Sequence, residues 1–228
     1  MAVVISTART TFASMPRVLT PEILDRLPAD SPAARRSRRD LRLTNALMGN
    51  HRWLRSELQR RVHPAEAALE LGAGDGAFAL RAKAAGLNVH ALEQTCPAPT
   101  GWPADRAWHA ADLRNFDGYA AYPIFIGNLI FHHLSDEELG QLGARLRRHA
   151  RVILASEPAR RRASTWMFAV LGRLLGADRV TLHDARVSIQ AGFLGRELPD
   201  LLGLGADWDV RCHTTLWGAY RMLAVKKP

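Results

Sequence analysis

The sequence of 228 residues predicts one α/β domain with a seven-stranded, mostly parallel sheet and an antiparallel last strand. Five short apolar runs of strand length alternate with turns and helical segments, as the strands of a parallel sheet do. Residues 208–216 and 219–225 alternate in polarity and predict a closing antiparallel hairpin. With an apolar content of 47%, the chain can bury one sizeable core, so we expect a single domain.

Helices are predicted before the first strand, from residue 33 onwards. Residues 1–32 show no sustained pattern, and we expect a disordered or loosely attached segment there, followed by the folded domain at 33–228. The first 19 residues contain arginine and no acid, which fits a mitochondrial presequence and a disordered start equally well. Apolar stripes predict two helices at about 33–48 and 51–62, with Trp53, Leu54 and Leu58 buried.

A glycine-rich turn follows the first predicted strand, at residues 67–71. Glycines stand at alternate positions, Gly72, Gly74 and Gly76. A helix is expected from Ala77, and a second apolar run at 89–92 ends on an acid. A strand, a glycine turn, a helix and a strand that ends in a carboxylate form a nucleotide-binding half-unit, because glycine lets the backbone turn tightly and pass close to a ligand.

The acids around this turn indicate which nucleotide it suits. Glu93, at the end of the second strand, would accept hydrogen bonds from the two hydroxyls of a ribose. Glu70 and Asp75 flank the glycines and would repel a diphosphate, so the turn suits a cationic nucleoside without phosphate. The segment resembles motif I of the Rossmann-like class I S-adenosylmethionine-dependent methyltransferases. The resemblance implies that Glu70, the three glycines and Glu93 bind S-adenosyl-L-methionine.

The third strand, near 107–110, is preceded by a loop. Three prolines within residues 94–106 exclude a regular helix, so we expect the helix that usually joins the second and third strands to be missing. The strand leads to Asp112 and Leu113, where the methyltransferase superfamily binds adenine. An acid at a strand end can also cap a turn, and that alternative stays open for Asp112.

The fourth strand, from Pro123, runs into the predicted site at Asn128 and Leu129, which the resemblance assigns to the cofactor. The residues Gly-Asn-Leu-Ile replace the Asn/Asp-Pro-Pro-aromatic motif of adenine amino-methyltransferases, so an adenine substrate is disfavoured. His132 and His133 follow. A histidine of near-neutral pKa could take a proton from a phenol during methyl transfer, although a hydrogen-bonded structural role remains the alternative. Ser135 with Glu138 forms a capping-box pattern that starts the next helix.

The later part of the chain narrows the resemblance. A fifth strand at 151–156 is followed by a helix to about residue 175, with Arg160 to Arg162 facing solvent at its start, and a helical insertion before the last two strands. Several short motifs resemble methyltransferases found with type III polyketide synthases; they begin at Asn128, Ser156, Val180, Ser188 and Gly195. The resemblance implies a polyketide-derived phenol or quinone as substrate. His183 is a reserve candidate for the base, while Leu182 and Gln190 replace expected arginines.

The superfamily resemblance also gives the N-terminal helices a role. Helices before the first strand cover the cofactor pocket in this superfamily, so residues 33–62 are expected to form a helical cover. Asn45 and Arg52 could there hold the carboxylate of the methionine moiety, although both could equally be surface residues.

Composition limits the partners. The net charge is +9, and residues 1–64 hold 12 arginines and 5 acids, a net of +7. This excess can attract nucleic acid, an anionic membrane or an acidic ligand, but a solvated basic face is our default interpretation. No run is long enough to span a membrane, although peripheral contact stays open. Two separated cysteines without metal-ligand spacing fit a reducing compartment and argue against a disulfide scaffold or a zinc site.

The combined expectation is a cytoplasmic methyltransferase that moves a methyl group to an oxygen or carbon of a small aromatic or lipophilic substrate. Nucleic acid is disfavoured as a partner, and no metal is expected. RNA methylation, suggested by the charge alone, and a non-catalytic S-adenosylmethionine-binding protein are the alternatives.

Overall fold

Seven strands form one sheet in the computed structural model, which describes residues 15–24, 31–174, 176–177 and 179–228. The strand order is β3-β2-β1-β4-β5-β7-β6, and β7 is antiparallel to both of its neighbours. The first five strands are parallel to one another. The predicted fold class is therefore confirmed. The strands are β1 Ala68–Leu71, β2 Val89–Glu93, β3 Trp108–Ala110, β4 Ile124–Asn128, β5 Val152–Pro158, β6 Trp208–Thr214 and β7 Ala219–Lys226.

Helices cover both faces of the sheet. Every residue of the central strands β1 and β5 is buried, as expected for strands with helices on both sides. Two apolar clusters result, one on each face. The α-helices in the described residues are α1 Pro32–Met48, α2 Asn50–Arg61, α3 Ala77–Ala84, α4 Asp136–His149, α5 Arg162–Leu174, α6 Arg179–Ala191 and α7 Glu197–Leu201.

The two N-terminal helices were predicted to within a residue or two. Gly49 separates α1 from α2 in a left-handed conformation with a φ of 65°, which glycine adopts without steric cost. Leu54 and Leu58 of α2 are fully buried against the sheet. Trp53 is half-buried, and the Arg221 guanidinium lies 5.2 Å from the centre of its ring. The two leucines of this stripe are therefore buried as expected, whereas Trp53 is only half-buried.

Two loop predictions can be compared with the structure. No helix joins β2 to β3, and all the residues between these strands are described. At the start of α4, the Ser135 side chain accepts from the Glu138 amide and the Glu138 side chain accepts from the Ser135 amide, so the capping box is present. The predicted end of the fifth helix, residue 175, lies outside the described residues.

Arg160 corrects one prediction. We expected it to face solvent, but only 4% of the residue is exposed. Its guanidinium donates to both carboxylate oxygens of Glu197, at 2.9 and 2.5 Å, and to the carbonyl of Gly192. It also donates to the carbonyl of Met15. A buried charge needs such compensation, and the partners come from a distant part of the chain that the local pattern does not reveal.

Residues 15–24 lie against the domain. Arg17 donates to the carbonyls of Ala191 and Leu134, at 2.8 and 2.7 Å, and its guanidinium lies 4.8 Å from the centre of the Phe193 ring. The backbone amides of Ile23 and Leu24 donate to the Asp184 carboxylate. The sequence predicts a loosely attached segment over 1–32, and the domain boundary at residue 32 stays a prediction. Among the described residues, no helix is both long and apolar enough to cross a membrane.

Candidate active site

A cavity of about 550 Å³ opens at the carboxyl ends of β1, β2 and β4. Strand β1 pairs with β2 on one side and β4 on the other, so the strand order reverses here. Open α/β sheets bind ligands at such a switch point. One half is lined by the glycine turn, the ends of the strands and the N-terminal helices. The other half is lined by residues 22 and 24, the segment after β4, and the insertion helices α5 and α6.

The three positions of the turn require glycine for different structural reasons. All three have a positive φ, from 58° to 71°, a conformation that disfavours other residues. A Cβ on Gly72 would lie 2.5 Å from the Ile130 side chain, and a Cβ on Gly76 would lie 2.8 Å from the Trp102 ring. A Cβ on Gly74 would meet no atom within 4 Å. Gly72 and Gly74 line the cavity whereas Gly76 does not, so Gly74 offers the closest approach of backbone to a ligand.

The Glu93 carboxylate lines the cavity and also holds the turn together. Its Oε2 accepts from the Gly74 amide at 2.8 Å. Its Oε1 accepts from the amide and the hydroxyl of Thr95, both at 2.8 Å, and from the Cys96 amide at 3.2 Å. The sequence suggested a carboxylate dedicated to a ribose. Here the same group already stabilises the glycine turn and the loop after β2, because all these backbone amides converge on it.

Two buried oxygens in the first half of the cavity have no hydrogen-bond partner among the described residues. They are Oε2 of Glu70 and Oδ1 of Asn128. Glu70 is only 2% exposed, and burial raises the pKa of its carboxyl well above the usual 4.5, against the opposing effect of the Ala79 amide. Both residues line the cavity. Buried acceptors without donors are costly, so this region suits a ligand that brings N–H groups or positive charge.

The N-terminal helices contribute Asn45 but not Arg52. Asn45 lines the cavity, and its Oδ1 accepts from the amides of Asn50 and Asn128, each at 3.0 Å. Arg52 is exposed and does not line the cavity, because packing of α2 turns that side of the helix outward. Arg42 and His51 line it instead.

Arg42 and His51 differ in charge. The Arg42 guanidinium pairs with Asp75 at 3.0 Å, across the mouth of the glycine turn. Burial, together with the nearby Arg81 cation, lowers the pKa of His51 to about 4, so its imidazole is neutral at physiological pH. Its ring packs edge-on against Phe78, with the ring centres 5.4 Å apart. Arg42 is therefore the cation that this part of the cavity offers to a ligand carboxylate.

Asp112 and Leu113 line the cavity just after β3, and their contact with adenine stays a prediction. The Asp112 carboxylate, however, already accepts from Arg114, whose Nε and Nη2 lie 2.9 and 2.7 Å from Oδ2. This hydrogen bonding lowers the pKa of the Asp112 carboxyl and keeps it ionised. Arg114 also donates to Glu138 at 2.9 Å. An adenine amine would thus share Asp112 with Arg114, which the sequence pattern did not single out.

His132 lies at the other half of the cavity, between two carboxylates. Its Nδ1 is 2.6 Å from Oε2 of Glu157, and its Nε2 is 3.4 Å from Oε1 of Glu22. Burial alone lowers the pKa of His132, but the two carboxylates outweigh it and raise the pKa to about 9. The two carboxylates therefore favour the protonated imidazole, and a catalytic role for His132 stays a prediction.

A strained residue positions His132. Leu129 has a φ of 58°, the one positive φ of a non-glycine residue in the described chain. After this turn, the amides of Ile130 and Phe131 both donate to Oε1 of Glu157 at 3.0 Å. Glu157 is fully buried, and these donors compensate its charge. The Leu129 turn and Glu157 together aim His132 Nε2 at the cavity.

The two other histidines differ in position. His133 lines the cavity, its ring centre is 4.2 Å from that of His132, and its Nε2 lies 3.9 Å from Glu22. The side chain of His183 is 49% exposed, pairs with Asp184 at 3.1 Å and does not line the cavity. The structure thus brings His132 and His133 together and leaves His183 outside.

Several lining residues were missed by the sequence reasoning: Glu22, Arg42, His51, Thr95 and Arg114. Glu157, which holds His132, was also missed as a functional residue. Arg42 could have been found, because it lies three residues before Asn45 and so on the same helix face. No local signal marks Glu22, whose segment carries no regular pattern.

Comparisons with solved structures support the fold. The plantazolicin methyltransferase BamL, crystallised with a triazolic desmethylPZN analog and SAH, is 10% identical with a TM-score of 0.69, over 90% of this chain and 93% of that chain. The plantazolicin methyltransferase BpumL with SAH is 12% identical with a TM-score of 0.65, over 86% and 89%. Magnesium protoporphyrin IX methyltransferase (ChlM) from Synechocystis PCC 6803 with SAH is 15% identical with a TM-score of 0.60, over 88% and 96%. No family model and no curated protein matches the chain.

Proposed function

We propose that the protein is an S-adenosylmethionine-dependent methyltransferase acting on an oxygen or carbon of a small aromatic molecule. The observation that carries the proposal is the pair of partnerless buried oxygens, on Glu70 and Asn128, beside the open backbone of Gly74. A cationic amino-acid nucleoside supplies the N–H donors and the positive charge that these oxygens lack. The fold, shared with methyltransferases that bind SAH, agrees with this ligand.

The chain offers a group for each part of that cofactor. Glu93 accepts from the ribose hydroxyls through Oε2, which has one protein donor, whereas Oε1 has three. Asp112 and Leu113 receive the adenine. Glu70, Asn128 and the amides of the glycine turn face the methionine part.

The Arg42 guanidinium and the Asn45 amide receive the methionine carboxylate. This assignment replaces Arg52 by Arg42, which lies on the cavity side of α1. The pairing of Arg42 with Asp75 is about half exposed, so water can replace Asp75 when the guanidinium turns to a ligand.

The second half of the cavity receives the substrate. Its apolar lining, with Leu134, Pro158, Phe168 and Ile189, suits a flat hydrophobic molecule. Bound S-adenosylmethionine supplies a methyl group on a sulfonium: the new bond forms to the substrate oxygen or carbon, the carbon–sulfur bond breaks with its electron pair staying on sulfur, and the substrate loses a proton. The chain contributes mainly by positioning the two reactants in line and excluding water.

His133 is the better candidate of the two histidines to take that proton. Both ring nitrogens of His132 already face carboxylates, whereas His133 meets Glu22 at a longer distance. His132 and Glu22 then shape the polar end of the substrate pocket. The short motifs that resemble those of methyltransferases found with type III polyketide synthases favour a polyketide-derived phenol or quinone as the substrate.

The test is transfer of labelled methyl from S-adenosylmethionine to a panel of phenols, quinones and RNA. Wild-type protein is expected to label a phenol or quinone, and the Gly74→Asp variant, which fills the cofactor half, is expected to label none. A matched Gly86→Asp variant introduces the same residue at an exposed glycine of similar φ outside the cavity and should keep the activity. Labelling of RNA alone, or SAH binding with no labelled product, would contradict the proposal.

A further inference from the structure

Three side chains of types that can bind a metal ion converge at the substrate end of the cavity. Glu22, His132 and His133 each place one ligand atom within 4.8 Å of the others. Glu22 Oε1 is 3.4 Å from His132 Nε2 and 3.9 Å from His133 Nε2. Two ligands bound tetrahedrally at the usual zinc distances of 2.0–2.2 Å are roughly 3.3 to 3.6 Å apart. The Glu22–His132 distance falls within this range, and the Glu22–His133 distance is slightly longer.

A second, independent feature supports a metal site. The other ring nitrogen of His132 lies 2.6 Å from the Glu157 carboxylate, which is itself held by the amides of Ile130 and Phe131. A carboxylate behind a histidine fixes its tautomer and aims the far nitrogen, which is the usual outer-shell arrangement of histidine metal ligands. Here the far nitrogen, Nε2, faces Glu22 and the cavity.

We propose that Glu22, His132 and His133 bind a divalent transition-metal ion, with Zn²⁺ as the best match, and leave a fourth position open to the cavity. Two imidazoles and one carboxylate favour zinc and its neighbours, whereas Mg²⁺ prefers oxygen ligands alone. Three protein ligands with an open position are typical of reactive rather than purely structural sites. All three residues line the cavity.

The ion has two consequences. Glu22 comes from the N-terminal segment and the histidines from the turn after β4, so the ion ties residues 15–24 to the domain and stabilises the folded state. If the proposed methyl transfer is correct, a phenol oxygen would occupy the open position and the ion would make it more acidic, as it does metal-bound water. The proton would then pass to solvent, because His133 would be a ligand of the ion and not the base. Only this second consequence depends on the proposed function; ion binding itself does not.

The direct test titrates Zn²⁺ into chelator-treated full-length protein by competition with a chromophoric chelator, with one equivalent expected. Glu22→Gln and His133→Ala should each weaken Zn²⁺ binding by about 100-fold or more, because loss of an outer-shell partner alone costs roughly 10–100-fold. Glu157→Gln should weaken Zn²⁺ binding roughly 10–100-fold, because Glu157 contacts His132 and not the ion. Mg²⁺ at the same concentration should not compete.

Matched controls separate this site from adventitious binding. Glu137→Gln and His149→Ala remove an acid and a histidine that are exposed on α4, and both should leave Zn²⁺ affinity unchanged. Tm should rise with Zn²⁺ for the wild type and for these controls, but not for Glu22→Gln. SAH binding, measured calorimetrically on the same samples, shows that each variant is folded and tests the cofactor site separately.

Equal Zn²⁺ affinity in wild type, Glu22→Gln and His133→Ala would overturn the proposal, since the three residues would then form only an ion-pair network. Weak binding of Zn²⁺ by a wild-type protein that binds SAH normally would also overturn the metal-site proposal, and it would leave the methyltransferase proposal intact. Zn²⁺ binding without SAH binding would support the metal site and contradict the cofactor assignment instead.

Discussion

Replacement of Glu93 tests the cofactor half of the cavity most sharply. Its carboxylate accepts four hydrogen bonds from the chain and, by our proposal, further bonds from the ribose hydroxyls. Hydrogen bonds to a charged group contribute about 1.5–3 kcal/mol each. Loss of the ribose bonds in Glu93→Ala should therefore weaken SAH binding at least about tenfold, which corresponds to ~1.4 kcal/mol.

The same change should also lower the stability of the fold. Three backbone amides, those of Gly74, Thr95 and Cys96, lose their acceptor in Glu93→Ala. Their hydrogen bonds are partly buried, so each loss costs less than the roughly 1–3 kcal/mol of a fully buried unsatisfied amide. From position alone, a carboxylate at a strand end is expected to be dispensable for folding. The structure predicts instead that the urea midpoint of unfolding falls, and urea denaturation without ligand measures it.

A matched control separates the two effects. Thr95→Ala removes one donor to Oε1 of Glu93 but leaves the carboxylate available to the ribose. Its SAH affinity, measured by calorimetric titration, should stay within about threefold of wild type, since no ligand bond is lost. An unchanged dissociation constant for Glu93→Ala, under conditions where that variant is fully folded, would refute the ribose assignment.

Three further outcomes are expected. Gly74→Asp should abolish SAH binding, whereas Gly86→Asp, at a glycine of similar positive φ outside the cavity, should bind SAH normally by calorimetry. Equal affinities would place the ligand elsewhere. Burial raises the pKa of the Glu70 carboxyl in the folded state above the usual 4.5, so unfolding releases a proton at a pH between 4.5 and the raised pKa. The free energy of unfolding should therefore fall as pH rises from 4.5 towards the raised pKa, and Glu70→Gln should remove that part of the pH dependence; a persisting slope would contradict the buried carboxyl. Removal of residues 1–31 should keep SAH affinity but eliminate Zn²⁺ binding, because Glu22 is lost; retained Zn²⁺ affinity would exclude Glu22 as a ligand.

The backbone elements around the site, the end of β2 and the glycine turn, were predictable because short contiguous stretches of sequence determine them. Strand β2 ends on Glu93 as predicted, and positive φ values occur at Gly72, Gly74 and Gly76, where glycine is the residue that adopts them easily. Strand β5, by contrast, extends two residues beyond the predicted end, to Pro158. Its pairing with β7 continues there, and such pairing is a property of the sheet rather than of the local apolar run.

The roles of individual side chains were less predictable. A helical pattern shows that α1 and α2 exist, but only the packing of each helix decides which side chains reach the cavity. Leu54 and Leu58 bury one side of α2 and Arg52 is left exposed, whereas Arg42 of α1 lines the cavity. His132 stands at its predicted position in the chain. Its charge depends on Glu157 and Glu22, which the local sequence does not connect to it.

The sequence by itself determined the order of elements, the glycine turn and the acid that follows the second strand. These depend on backbone preferences and on apolar periodicity, which neighbouring residues encode together. Tertiary structure alone decided that Glu93 holds the turn as well as facing the cavity, and that Glu22 meets His132 and His133. Such contacts join residues far apart in the chain, and their partners are selected by packing and by the need to compensate buried charge.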